Sequence, residues 1–252
     1  MIPYVGLPVT PATAAVAAVS GGHAFVSFAH PQQLGIATQY CQSFAVDNGA
    51  FPAWVNNRPI TDWQPYYAWV ADLCRYPNFA FAVIPDVIDG DEAANDALIH
   101  EWPAALKRHG APVWHMHESI DRIVRLAAEW HTVCIGSSGE YATVGNKLWW
   151  LRMADAMDAI CDADGFPICK LHGLRMLDPA VFSRLPLSSA DSTNIGRNVG
   201  IDKNWTGSYQ PPTKEARATV MRMILESSHG GVWWDRSAVP LQENLFDLFG
   251  DH

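Results

Sequence analysis

Short apolar runs recur along this chain, each followed by a longer stretch of helical character. That alternation constrains the fold more than any other feature. Read as strands, the runs are HAFVSFAH (23–30), SFAVDNGA (43–50), FAFAVIPDV (79–87), APVWHMHE (111–118), HTVCIGSS (131–138), PICKLHGL (167–174) and LPLSSADS (185–192). Either IPYVGL (2–7) or GVWWD (231–235) supplies an eighth. Helical patterns fill the gaps: TDWQPYYAWVADLCRY with a Thr or Asp cap, GDEAANDALIHEWPAALKRHG, ESIDRIVRLAAEW, NKLWWLRMADAMDAICDADG and TKEARATVMRMILESSHGG. The second of these has acids in its first turn, bases in its last and glycine after, the order favoured by the helix dipole. Strands alternating with helices predict an α/β fold with a mostly parallel sheet. About eight repeats favour a (β/α)8 TIM-type barrel, regular or irregular, over an open doubly wound sheet. With 252 residues, 49% of them hydrophobic, the chain can bury such a core as one domain spanning 1–252.

Several partner classes lose ground at this level. No phosphate-binding glycine fingerprint follows an early strand. No stretch of about 20 apolar residues predicts a membrane span. TPATAAVAAVSGG (10–22) lacks a basic start and reads as a short helix capped by Thr10, with Pro11 at its first position and Gly21 or Gly22 as its stop. The five cysteines show no close pair, so free thiols in a cytoplasmic setting, and no structural metal, are expected. The net charge of −9 argues against nonspecific coating of nucleic acid. Residues 170–236 nevertheless hold 9 basic against 6 acidic side chains, whereas residues 1–169 hold 8 against 17. A polyanion should therefore meet the later segment, where Arg175, Arg184, Arg197, Lys203 and Arg217 are the candidate phosphate contacts.

In a parallel barrel the site forms where strands end, so polar residues at those ends are the candidates. They are Asp47 with Asn48 and Gly49, then Asp86, then His115, His117 and Glu118, then the loop GSSGEYATVG, then His172, and finally Asp191. His115 and His117 alternate along a strand and with Asp191 would suit a metal-dependent hydrolase, although an i, i+2 pair is a weak ligand signal. Most of the eleven tryptophans read as core; Trp114, Trp149, Trp150 and Trp205 are those that could stack on a base.

These segments resemble a known family. FAVDNGAF (44–51) is similar to the Asp-Ser-Gly-Gly-Phe motif of tRNA-guanine transglycosylases, and VIPDV (83–87) to the strand bearing that family's guanine-reading aspartate. VWHMHES stands where the family has Val-Gln-Gly, CIGSSGEYATVG resembles its glycine-rich loop, and SSADSTNIGRN resembles its nucleophile segment. The resemblance implies Asp191 as nucleophile, Asp47 as acid/base, and base binding by Asp86, His117, Asn48, Gly49, Ser138, Gly139 and His172. The three-cysteine, one-histidine zinc site of the tRNA enzymes has no counterpart, and the chain is shorter. It therefore looks more like the phage and bacterial branch that exchanges guanine in DNA for a 7-deazaguanine such as preQ0. That branch implies a DNA partner, a free deazaguanine base, and no cofactor, ATP or metal. An RNA-directed transglycosylase, the metal-dependent hydrolase and an inert base-binding module are the competing readings.

Overall fold

A computed structural model describes residues 1–202 and 210–240. The apolar runs become nine strands: β1 (Ile2–Leu7), β2 (His23–Ser27), β3 (Ser43–Asp47), β4 (Phe79–Val83), β5 (Gly110–Ala111), β6 (Val113–His115), β7 (Thr132–Gly136), β8 (Lys170–Gly173) and β9 (Ser189–Ser192). All their pairings are parallel, in the order β5-β4-β3-β2-β1-β9-β8-β7-β6. The two ends of that order are consecutive in the chain and separated only by Pro112. The Ala111 carbonyl accepts from Ile84 N (2.9 Å) on one side, and the Pro112 carbonyl accepts from Cys134 N (2.8 Å) on the other. The sheet thereby curls into a nearly closed barrel, compatible with a TIM-like one. Its count is nine rather than eight because the proline, with no N–H to give, splits the fifth strand.

The eighth run proves to be IPYVGL, which pairs with both β2 and β9. GVWWD forms no strand, and its Val232 and Trp233 are exposed.

Ten helices are described: α1 (Ala12–Val19), α2 (Leu34–Tyr40), α3 (Ala50–Val55), α4 (Gln64–Leu73), α5 (Glu92–Glu101), α6 (Ile120–Glu129), α7 (Lys147–Ile160), α8 (Pro179–Phe182), α9 (Asn194–Asn198) and α10 (Lys214–Ser227). Side-chain caps from Asp91, Ser119, Asn146 and Thr213 start α5, α6, α7 and α10. Two helix expectations need correction. Pro11, not Thr10, occupies the N-cap of α1, and no side chain caps it. The stretch 90–110 is not one helix: α5 stops at Trp102, before Pro103, and Ala104–His109 forms a separate 3-10 turn.

Parity along the strands sorts the side chains. Tyr4, Phe25, Ala45, Phe81, Val83, Ala111, Val113 and Cys134 fill the barrel interior. The opposite parity builds the larger layer between sheet and helices, where Trp114, Trp149 and Trp150 are buried and so are core rather than base-stacking residues. Trp205 lies outside the described residues. No described helix is long and apolar enough to cross a membrane.

Candidate active site

Continuing the interior parity towards the strand ends exchanges apolar residues for polar ones. Ser27 and Asp47 are register partners on β2 and β3, and His172, Ser189 and Asp191 follow on β8 and β9. Asp86 stands just past the end of β4, and His115 ends β6.

Asp47 Oδ2 accepts from Ser27 Oγ (2.9 Å) and from Gly49 N (3.1 Å). Burial, reinforced by the charges of Asp86 and Asp191 against the lowering effect of those two hydrogen bonds, pushes its carboxyl up to about 6. The three acids, distant in sequence, thus feel one another. The Cys134 thiol inside the barrel is held well above its ordinary value, by burial first and then by the same three carboxylates.

Asp191 is 5% exposed. Its Oδ1 accepts from Arg175 N at 2.9 Å, and His172 Nε2 approaches the same oxygen at 3.4 Å. Oδ2 has no hydrogen-bond partner among the described residues. His172 is wholly buried, with Nδ1 2.8 Å from Ser189 Oγ and its ring against Phe25 and Phe81. It packs beside Asp191 inside the barrel, and its Nε2 makes no hydrogen bond among the described residues.

Asp86 is held on one oxygen and closely approached on the other. Asn48 Nδ2 donates to Oδ1 (2.7 Å) and to the Ile84 carbonyl (2.9 Å), while His115 Nε2 lies 2.9 Å from Oδ2. Asn48 is aimed by Gly49, whose φ of +82° is a left-handed turn; a Cβ there would meet Ala29 N at 3.1 Å. Behind this layer lies a buried ion network. Arg122 Nη1 donates to Glu118 Oε2 (2.6 Å), and that oxygen also accepts from His115 N (2.8 Å). Asn95 links Glu118 Oε1 to Val87 N, so the loops carrying Asp86 and His115 share one anchor.

His117 is exposed, and its ring spans two loops. Nε2–H donates to the Gly90 carbonyl (3.0 Å), leaving Nδ1 to accept from Ser138 Oγ–H (2.7 Å). Both nitrogens are engaged, so His117 straps the two loops together and engages Ser138. Gly139, with φ +56°, sits where a Cβ would lie 3.1 Å from His117 Cβ, so it serves that strap too.

The candidate phosphate contacts separate. Arg175 stacks its guanidinium 3.6 Å from the Phe51 ring centroid. Burial lowers its proton affinity, with Asp191 and Asp47 among its charged neighbours. With Arg197 it lines a cavity of about 600 Å³ beside the end of β9, floored by Ile195, Met221 and Leu225. That cavity adjoins the carboxylates without containing them. Arg184 precedes β9 and so belongs to the opposite end of the barrel. Arg217 is buried, its guanidinium bound to the Pro211 carbonyl and to Asp202, which corrects its assignment to a structural ion pair. Lys203 lies outside the described residues. Among those residues, no group of three or more His, Cys, Asp or Glu side chains is arranged to hold a metal ion.

The sequence reading did not single out Ser27, which donates to Asp47, and did not foresee that Phe51 lies under Arg175 or that His115 faces Asp86. Register would have found Ser27, which lies beside Asp47 at the same interior parity.

No protein-family model and no curated protein matches the chain.

Proposed function

We infer that the protein is a DNA-guanine transglycosylase of (β/α)8 type, exchanging guanine in DNA for a 7-deazaguanine by double displacement. The observation carrying this reading is the grouping of Asp47, Asp86 and Asp191 at one barrel mouth, with the Asp47 carboxyl pushed up to about 6 and Asp191 Oδ2 without a hydrogen bond among the described residues. In the first displacement Asp191 Oδ2 attacks C1′ of the target nucleotide as the C1′–N9 bond breaks, and the departing guanine takes a proton from Asp47. In the second, the incoming 7-deazaguanine gives a proton to Asp47, attacks C1′ and expels the Asp191 carboxylate. No net charge or electron is gained, and no cofactor is consumed.

Asp86 suits the N1–H and 2-amino edge shared by guanine and 7-deazaguanines, since each of its oxygens keeps a lone pair beyond its protein partner. The target must leave the base stack to reach a buried acid, at a cost of a few kcal/mol. Arg175 and Arg197, at the rim, suit the flanking phosphates.

The test is to incubate the protein with DNA or tRNA and labelled candidate bases, digest to nucleosides and identify them by mass. Incorporation into DNA, with a covalent protein–DNA adduct on a denaturing gel that Asp191→Asn abolishes, is expected. Near-normal exchange by Asp191→Asn would overturn the assignment of the nucleophile, and incorporation into tRNA alone would overturn the choice of polymer.

A further inference from the structure

One buried imidazole takes no part in the chemistry above. His115 is 3% exposed at the end of β6, and its Nε2 faces Asp86 Oδ2 at 2.9 Å. That approach lies off the N–H axis, so Nε2 has no hydrogen-bond partner among the described residues. A buried donor so placed costs free energy unless a carboxylate uses it, and such bonds commonly tighten only when a ligand is bound.

The backbone and two faces of the ring are fixed. Its backbone N–H donates to the buried Glu118. The imidazole lies over Gly136, where a Cβ would come within 3.2 Å of Nδ1, so no larger residue fits without moving it. On another side it stacks on His117 with ring centroids 5.7 Å apart and an interplanar angle of 24°.

We propose that His115 is a positioning residue for specificity: with Asn48 it locks the rotation of the Asp86 carboxylate, so that the two remaining lone pairs meet a ligand edge bearing two adjacent N–H donors. Asn48 holds Oδ1, and His115 Nε2 stands 2.9 Å from Oδ2, so that a small turn of the ring on ligand binding completes the clamp. A free carboxylate rotates and accepts one donor almost as well as two. A locked one rewards the second donor, because a ligand lacking it leaves a desolvated oxygen unpaired. The ligand class is thus the cyclic amidine edge of a 2-amino-6-oxopurine or its 7-deaza analogue. This proposal rests on the base-exchange reading, which it deepens.

The experiment compares free guanine with hypoxanthine, which lacks the 2-amino group, by calorimetric titration of the full chain. Wild-type protein should prefer guanine by roughly tenfold to hundredfold, the worth of one hydrogen bond to a charged group. His115→Leu should cut that preference to about threefold or less, whereas His115→Gln, whose amide can donate to Oδ2, should restore most of it. A merely structural role would weaken both bases equally and leave their ratio alone. Unchanged discrimination in a folded His115→Leu variant overturns the proposal while leaving base exchange standing.

A second readout needs no ligand. Nitrogen-15 spectra of the wild-type imidazoles should show a protonated Nε2 on His115 that shifts in Asp86→Ala. The absence of any such shift overturns the clamp. Wild-type protein that shows the shift but binds neither base overturns the base-exchange reading, and the ligand class falls with it.

Discussion

Asp47→Asn should make the protein more stable above neutrality while removing the group proposed as acid/base. Raising a carboxyl from 3.8 to about 6 makes its ionised form costlier in the fold than in the open chain. At about 1.4 kcal/mol per pH unit that cost comes to about 3 kcal/mol. Solvent reaching the partly exposed Asp47, and the Ser27 and Gly49 bonds that the amide cannot fully replace, reduce the expected gain to about 1–3 kcal/mol. The sign follows from the direction of the shift. Below the unfolded value near 3.8 the acid is neutral in both states and the variant gains nothing. As pH rises towards 6 the wild type loses stability that the amide keeps, and above 6 the difference is constant. For a chain of this size the gap at pH 8 corresponds to roughly 3–10 °C in melting temperature. Thermal melts of both proteins from pH 4 to pH 8 measure it. A melting difference that stays flat across that range, or a variant less stable than wild type at pH 8, would refute the claim that burial, helped by the neighbouring acids, raises the Asp47 carboxyl.

Three further outcomes follow from the packing. Gly49→Ala forces a side chain into a left-handed turn against Ala29 and should cost about 1–3 kcal/mol, lowering exchange by disturbing Asn48; chemical denaturation and turnover measure the two effects. Glu118→Ala leaves the buried Arg122 guanidinium with Asp96 alone as carboxylate partner and the His115 N–H without its acceptor, and should destabilise the fold by about 1–3 kcal/mol, read by urea unfolding. Arg197→Ala should weaken binding of single-stranded DNA and reduce its salt dependence by about one unit of slope, whereas Arg184→Ala, at the other end of the barrel, should leave both unchanged in a fluorescence titration.

The strands were legible because each is a short apolar run bounded by turn residues, and the acids were legible because barrel chemistry gathers where strands end. The split at Pro112 was also visible, as a proline inside APVWHMHE. The helix break at Pro103 was missed because charge order was allowed to outweigh a proline. Side-chain roles were harder to read. Alternation puts His115 and His117 on one face only while the strand lasts, but β6 ends at His115 and the turn carries His117 off to a different loop. Charge counting placed Arg217 among the surface cations, since nothing local to α10 reveals that the Pro211 carbonyl and Asp202 enclose it.

The adjacency of β1 and β9 reaches beyond geometry. A ribosome must release nearly the whole barrel before residue 191 can dock beside residue 4, so a partly synthesised chain carries two of the acids without the third. A fragment ending before residue 189 would lack β9, and with it both the strand that joins β1 to β8 and the third acid.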